Sequence, residues 1–205
     1  MKYVIIGASA AGMTAAKTLA EQDPGAEIKV ISQDQHVHSR CMLHKYLSGE
    51  REAAGLNFTP ESFFEDRGIR WEKGVSVKAV KTEEKEVVLE DESRVPYDKL
   101  LIAAGANSFL PPVGDLRKAK NVFGLRHLTD AQSIVAAAET ANRVLIVGSG
   151  LVGLDAAYGL LERGKDVAVV EMAPQILPVQ LDAHAAMEYQ RRFEEAGCRF
   201  LLGRK

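Results

Sequence analysis

Short apolar runs alternate with longer stretches of helical period along this chain. Val144-Leu145-Ile146-Val147 is a compact apolar run with the β-branched bias of a buried strand. An alanine-rich helical pattern follows it to Arg163, where Gly164 supplies a stop. Val167 to Val170 is the next strand. The N-terminus repeats this order: a strand over Lys2–Ile6, a helix over Met13–Gln22, a turn at Asp23-Pro24-Gly25 and a strand over Ile28–Ile31. Between the two repeats the pattern predicts a short helix over Pro60–Arg67 capped by Thr59, then a strand over Ile69–Trp71. Val75–Val80 and Glu86–Glu90 alternate as antiparallel strands joined by the charged turn Lys81–Lys85, and Leu100–Ala103 is a further apolar strand. Thr129 or Asp130 caps a helix running to about Thr140. Asp182 caps another reaching Ala196, with Ala183, Met187, Gln190 and Phe193 near one face, and Cys198–Leu202 begins a last strand.

The turns between these strands and helices carry the chemistry. Gly148, Gly150 and Gly153 stand at the spacing G-x-G-x-x-G, with Leu151 and Val152 in the helix's first turn. Such glycines permit a tight turn and close approach of a pyrophosphate to the helix N-terminus. Glu171 follows the second strand, where a carboxylate accepts hydrogen bonds from a ribose diol. The first repeat reads Gly7-Ala8-Ser9-Ala10-Ala11-Gly12, with Ser9 in place of the middle glycine. The strand end there holds Ser32 rather than an acid, and Asp34 comes two residues later. Two such units in one short chain predict two nucleotides bound side by side. The fold class is α/β, with two Rossmann-like, doubly wound, three-layer domains. Pro111-Pro112-Val113-Gly114 is the best linker, which divides the chain into residues 1–112 and 113–205. One strand follows the last helix before the sequence stops, so the second domain is expected to be incomplete at its C-terminal end.

At 205 residues and 46% hydrophobic content there is material for such cores. A net charge of −2 with scattered lysines and arginines gives no reason to expect nucleic acid or a membrane surface as partner. No apolar run reaches membrane-spanning length. A strand beginning at residue 2 leaves no room for a signal peptide. Cys41 and Cys198 lack disulfide-framework spacing, so a reduced, cytoplasmic protein is expected.

The paired fingerprints resemble the pyridine nucleotide–disulfide oxidoreductase superfamily of FAD- and NAD(P)H-dependent flavoproteins. The resemblance runs over the whole chain, through Ile5–Ala16, His38–Glu50, Tyr97–Ala106, Leu125–Ala131 and Val169–Pro178. It is nearest to the type of NADH–rubredoxin reductase and the flavin domain of nitrite reductase, whose S-R-P-L-L-S-K-Y-L-S-G matches Ser39–Gly49 without a gap. The resemblance implies that the first fingerprint (Gly7, Ser9, Ala10, Ala11, Gly12), with Ser32, Ala104 and Gly105, binds FAD. It implies that Gly148, Gly150, Leu151, Val152, Gly153 and Glu171 bind NAD(H). Arg40 would face the FAD, Lys45 would sit near the flavin ring, and Val77 would offer its backbone to the adenine. Asp155 stands where the family has a glutamate that pairs with that lysine.

Two features depart from the family pattern. Family members continue with another FAD segment and a dimerisation domain, so the chain is expected to be truncated and the full-length protein a homodimer. Cys41 replaces the common proline, and the same position is the redox cysteine of the NADH oxidases, peroxidases and coenzyme A-disulfide reductases.

Charge decides the nucleotide. A carboxylate at the strand end repels a 2′-phosphate, and Met172-Ala173-Pro174 supplies no arginine, so NADH is favoured. Asp155 lies in the nearly wholly apolar stretch Gly150–Ala157, and a buried carboxylate needs a partner, which Lys45 would be. Arg40, His44 and Lys45 near Cys41 favour a thiolate. His36, His38, Cys41 and His44 have metal-ligand chemistry, yet no second cluster completes a recognised spacing, so no metal is predicted. The leading expectation is an enzyme that passes a hydride from NADH to FAD and then electrons to an acceptor, a small redox protein or an internal redox centre. Alternatives are a Cys41-dependent thiol, disulfide or peroxide reductase, and a nucleotide-binding sensor or inactive fragment.

Overall fold

The computed structural model describes residues 1–204. In chain order its elements are β1 (Lys2–Ile6), α1 (Ala10–Gln22), β2 (Glu27–Ser32), α2 (Leu43–Ser48), β3 (Arg70–Lys73), β4 (Val77–Lys81), β5 (Glu86–Leu89), β6 (Arg94–Pro96), β7 (Lys99–Ile102), α3 (Leu128–Thr140), β8 (Arg143–Val147), α4 (Leu151–Glu162), β9 (Asp166–Val170), α5 (Ala183–Glu195) and β10 (Arg199–Leu201). By contacts the chain divides into two units: residues 1–39 with 57–107, and residues 40–56 with 108–205.

The first unit is built on a parallel sheet in the order β3-β2-β1-β7. Successive side chains on a strand face opposite ways, so each strand feeds two cores. Ile5 pairs with Val30, and both pack on α1 through Met13 and Ala16. Val4 and Ile31 face the other way, onto Val87, Leu89 and Val95 of the antiparallel sheet β4-β5-β6. The result is three layers: helix, parallel sheet, meander. Each fully buried aliphatic side chain here contributes about 1.5–3 kcal/mol.

The second unit has a parallel sheet in the order β10-β9-β8. One face carries Val144, Ile146, Val167, Val169 and Phe200, which pack with Ala138 of α3, Ala157 and Leu160 of α4 and Phe193 of α5. On the opposite face Leu145, Val147 and Leu201 are 61%, 51% and 46% exposed. A further core joins α2 to α3 through Leu43, Leu47, Leu56, Leu128 and Ala131.

Several sequence expectations change in detail. The predicted helix over Pro60–Arg67 is only a 3-10 turn, Glu61–Phe63, preceded by extended backbone at Pro60 and followed by left-handed Gly68. Thr59 does not cap it; its own N–H donates to Asn57 Oδ1 at 3.0 Å. The third helix begins two or three residues earlier than predicted, with His127 in place of Thr129 or Asp130 as the cap position. Asp130 sits inside the first turn and accepts from the backbone N–H groups of Arg126 and His127 at 2.9 and 2.8 Å. Asp182 caps α5 as expected, accepting from Ala185 N at 2.8 Å. The buried side of α5 runs through Ala186 and Phe193, however, while Met187 is 58% exposed.

Candidate functional site

Both fingerprints form the same local structure. Gly7 and Gly148 close the strands β1 and β8 with left-handed φ angles of 111° and 98°. Gly12 and Gly153 sit so close beneath them that an added Cβ would lie 1.9 Å from the Gly7 carbonyl oxygen and 2.2 Å from that of Gly148. Only glycine fits there, and the helix is thereby drawn tight against the strand end. Ser9 and Gly150 are the cap residues of α1 and α4, and neither helix end has a side-chain cap. Their first N–H groups therefore remain to be satisfied from outside, which is the condition for binding an anion. Ala10, Ala11, Leu151 and Val152 lie exposed in those first turns. Around Gly148 and Gly150 an added Cβ would meet nothing within 4 Å, so backbone and pyrophosphate can approach.

The first turn is completed by β7. An added Cβ at Gly7 would lie 2.2 Å from the Ala103 carbonyl oxygen, so the chain entering Ala104 and Gly105 passes directly against the fingerprint. Ser32 ends β2 buried, and its hydroxyl accepts from Asp34 N at 3.0 Å. Val77 stands half-buried at an irregularity in the β4–β5 pairing.

At the second turn Glu171 is held by three hydrogen bonds. Ser149 N and Ser149 Oγ each donate to Oε2 at 2.9 Å, and Ala173 N donates to Oε1 at 2.9 Å. Burial alone would push this carboxyl up, but the donated hydrogen bonds outweigh it and hold the group below the usual glutamate range. Sequence reasoning passed over Ser149. A hydroxyl between two fingerprint glycines was the available signal.

The segment after residue 39 gives a different result from the predicted one. Lys45 does not pair with Asp155. Its ammonium lies 2.6 Å from Glu50 Oε2 and 5.4 Å from the centre of the Tyr158 ring. The hydrogen bond to Glu50 raises the lysine and lowers the glutamate from their ordinary values. Asp155 instead faces His44, whose Nδ1 is 3.8 Å from Asp155 Oδ2. The two neighbours on α2 project about 100° apart, and the phase of that helix turns His44 toward α4. Asp155 is half-exposed rather than buried, at 48% of its side chain. Burial still raises its carboxyl, with the attraction of His44 opposing. Arg40 Nη1 donates to the Arg126 carbonyl at 3.0 Å and lies 3.1 Å from His127 Nδ1. Arg40, His44, Arg126, Val152 and Asp155 border a small pocket of about 40 Å³. Cys41 is exposed, and Cys198 is buried with its thiol pushed up to about 11 by that burial. Among the described residues no cluster of three or more His, Cys, Asp or Glu side chains could hold a metal ion, and no helix is long and apolar enough to cross a membrane.

A match to the pyridine nucleotide-disulphide oxidoreductase family extends over residues 1–205. The chain belongs to that family. Over 213 residues it is 33% identical to an NADH oxidase of Methanocaldococcus jannaschii, spanning 100% of this chain and 47% of that protein. It is 31% identical to a nitrite reductase [NAD(P)H] of Bacillus subtilis, spanning 98% of this chain and 25% of that protein. The structure superposes on putidaredoxin reductase in its covalent complex with putidaredoxin with a TM-score of 0.90 and 25% identity, spanning 100% of this chain and 50% of that one. The chain thus spans half or less of the length of these relatives. The family's two dinucleotides fit the residues present, because each fingerprint turn offers an uncapped helix N-terminus, and at the second turn the surface around Gly148 and Gly150 is free of side chains.

Proposed function

We propose that this chain is the two-nucleotide portion of a flavoprotein oxidoreductase that takes a hydride from NADH and hands electrons to an acceptor. The observation that carries the reading is the pair of fingerprint turns, of which the second holds a carboxylate fixed by hydrogen bonds from Ser149 and Ala173. FAD, when bound, would supply the redox chemistry of hydride acceptance and onward electron transfer. The chain's own residues bind, orient and set charge. The N–H groups at the starts of α1 and α4 hold the two pyrophosphates. Ser32, Val77, Ala104 and Gly105 would serve the FAD from the first unit. Lys45 is paired with Glu50 rather than with Asp155. A small redox protein is the fitting acceptor, since the superposing reductase was captured with putidaredoxin.

The complete protein should be yellow, and NADH should bleach it. NADPH should do so far more slowly, and Glu171→Arg should narrow or reverse the preference by at least tenfold. A colourless protein that binds nucleotide would indicate a sensor, and equal wild-type rates would sink the NADH assignment. The exposure of Cys41 favours one second reading, a thiol-dependent reductase. Cys41→Ser should leave NADH-driven dye reduction nearly unchanged under the main proposal. Loss of most turnover on the natural acceptor, with flavin retained, would promote the second.

A further inference from the structure

We infer that Ser149 is the positioning residue that sets the choice of NADH over NADPH, by locking the Glu171 carboxylate in place. The inference rests on the NADH reading above and deepens it. Ser149 is fully buried, and all its polar groups are engaged. Its N–H and hydroxyl both donate to Glu171 Oε2 at 2.9 Å, and its carbonyl accepts from Leu177 N at 3.1 Å. Leu177 is itself buried with a left-handed φ of 46°, a conformation costly for a non-glycine residue. One serine therefore fastens the fingerprint turn to the end of β9 and to the loop that follows it.

Locking matters because exclusion of a 2′-phosphate depends on where the carboxylate is, not only on its presence. A glutamate with a free side chain can swing away from an approaching phosphate, and the repulsion is then largely avoided. Here two donors fill Oε2 and Ala173 N takes one position on Oε1. A carboxylate offers about four acceptor positions, and with Met172 N–H also turned toward this one, a ribose hydroxyl meets a group whose donors already fix its orientation. A 2′-phosphate would displace that hydroxyl and face a charge that cannot retreat. The neighbouring Met172 is 69% exposed and brings no cation to compensate.

Nucleotide affinity tests this directly. NADH and NADPH are titrated anaerobically into the complete protein with its FAD already reduced, so that no hydride is transferred, and dissociation constants are read from nicotinamide fluorescence. Ser149→Ala removes one hydroxyl without adding bulk. It should weaken NADH by no more than about threefold and tighten NADPH, lowering the NADH preference by roughly tenfold, the value of one charge-assisted hydrogen bond. Glu171→Gln should lower it at least as far, and adding Ser149→Ala to that variant should change nothing further. A preference that survives Ser149→Ala within twofold, or effects of the two substitutions that simply add, would overturn the inference. Should Ser149→Ala not fold, carboxyl-carbon resonances of the wild-type protein still decide. Glu171 must stay ionised to below the ordinary glutamate range, and a Glu171 titrating at the ordinary value would mean that it is not locked. A wild-type protein without any NADH preference would overturn the underlying reading instead.

Discussion

Two carboxylates on α4 and at the end of β9 are pushed in opposite directions by their surroundings. Glu171 is held below its usual range, so its ionised form stabilises the fold above the ordinary glutamate pKa, and that contribution fades as pH falls through the depressed value. Glu171→Gln should therefore lower the melting temperature at pH 7, with solvent screening keeping the loss below about 1 kcal/mol, and by clearly less near pH 3. Asp155 shifts upward, chiefly by burial. Its ionisation costs stability as pH rises past the ordinary aspartate value, so Asp155→Asn should raise the melting point at pH 8 and give no gain at pH 3. Because the side chain is 48% exposed, solvent screening keeps that gain below about 1 kcal/mol. The thiols differ just as plainly. Cys198, pushed up to about 11 and buried, should react with a thiol reagent only after unfolding, whereas exposed Cys41 reacts at once. Counting titratable thiols before and after denaturant checks this. Glu171 was legible in the sequence because strand length and the glycine spacing fix where the acid falls. His44 was not, because which of two adjacent residues faces Asp155 depends on the rotation of α2 about its axis, which no local pattern encodes.

The contact of α2 with α4 turns on a single glycine. An added Cβ at Gly159 would lie 2.7 Å from Leu47 Cβ and 2.8 Å from the His44 carbonyl oxygen. Backbone cannot yield as a side-chain tip can, so Gly159→Ala should push α2 off α4 and cost about 1–3 kcal/mol in a denaturant titration. Arg163 fastens the same short helix by donating to the Tyr46 and Leu47 carbonyls at its C-terminal end. None of this was visible in the sequence, where Leu43–Ser48 is too short for helical periodicity to stand out. The strands of the two fingerprints were legible, since continuous β-branched runs bounded by glycine leave little choice. Arg94–Pro96 was overlooked as a strand because it is three residues long and gains its pairing only from β5. The predicted helix at Pro60–Arg67 fails because its turns stay irregular: Phe63 N and Gly68 N donate to carbonyls three residues back and Asp66 N to one four residues back, while Phe63 is drawn into the α1 core.

At the scale of the molecule, the second sheet has its helices on one face, while Leu145, Val147 and Leu201 are largely exposed on the other. Contiguous apolar surface of this kind drives association. A polypeptide of residues 1–205 should therefore sediment as a concentration-dependent mixture, and Leu145→Thr with Val147→Thr should shift it toward monomer. Unchanged sedimentation would show that the face is not sticky. The paired nucleotide architecture was readable from two motifs. The assignment of residues 40–56 was not, because it is settled by contacts distant in sequence. The chain passes between the two units at residues 39/40, 56/57 and 107/108. Leu43, Leu47 and Leu56, supplied from that inserted stretch, complete a core with Leu128 and Ala131. A gene cut after codon 107 would leave the downstream product without three of its core leucines. The second unit is therefore not a cassette that can be lifted out by a single cut and spliced elsewhere. Swapping it between homologues would require two joined transplants, with the 17-codon stretch for residues 40–56 travelling alongside the larger piece.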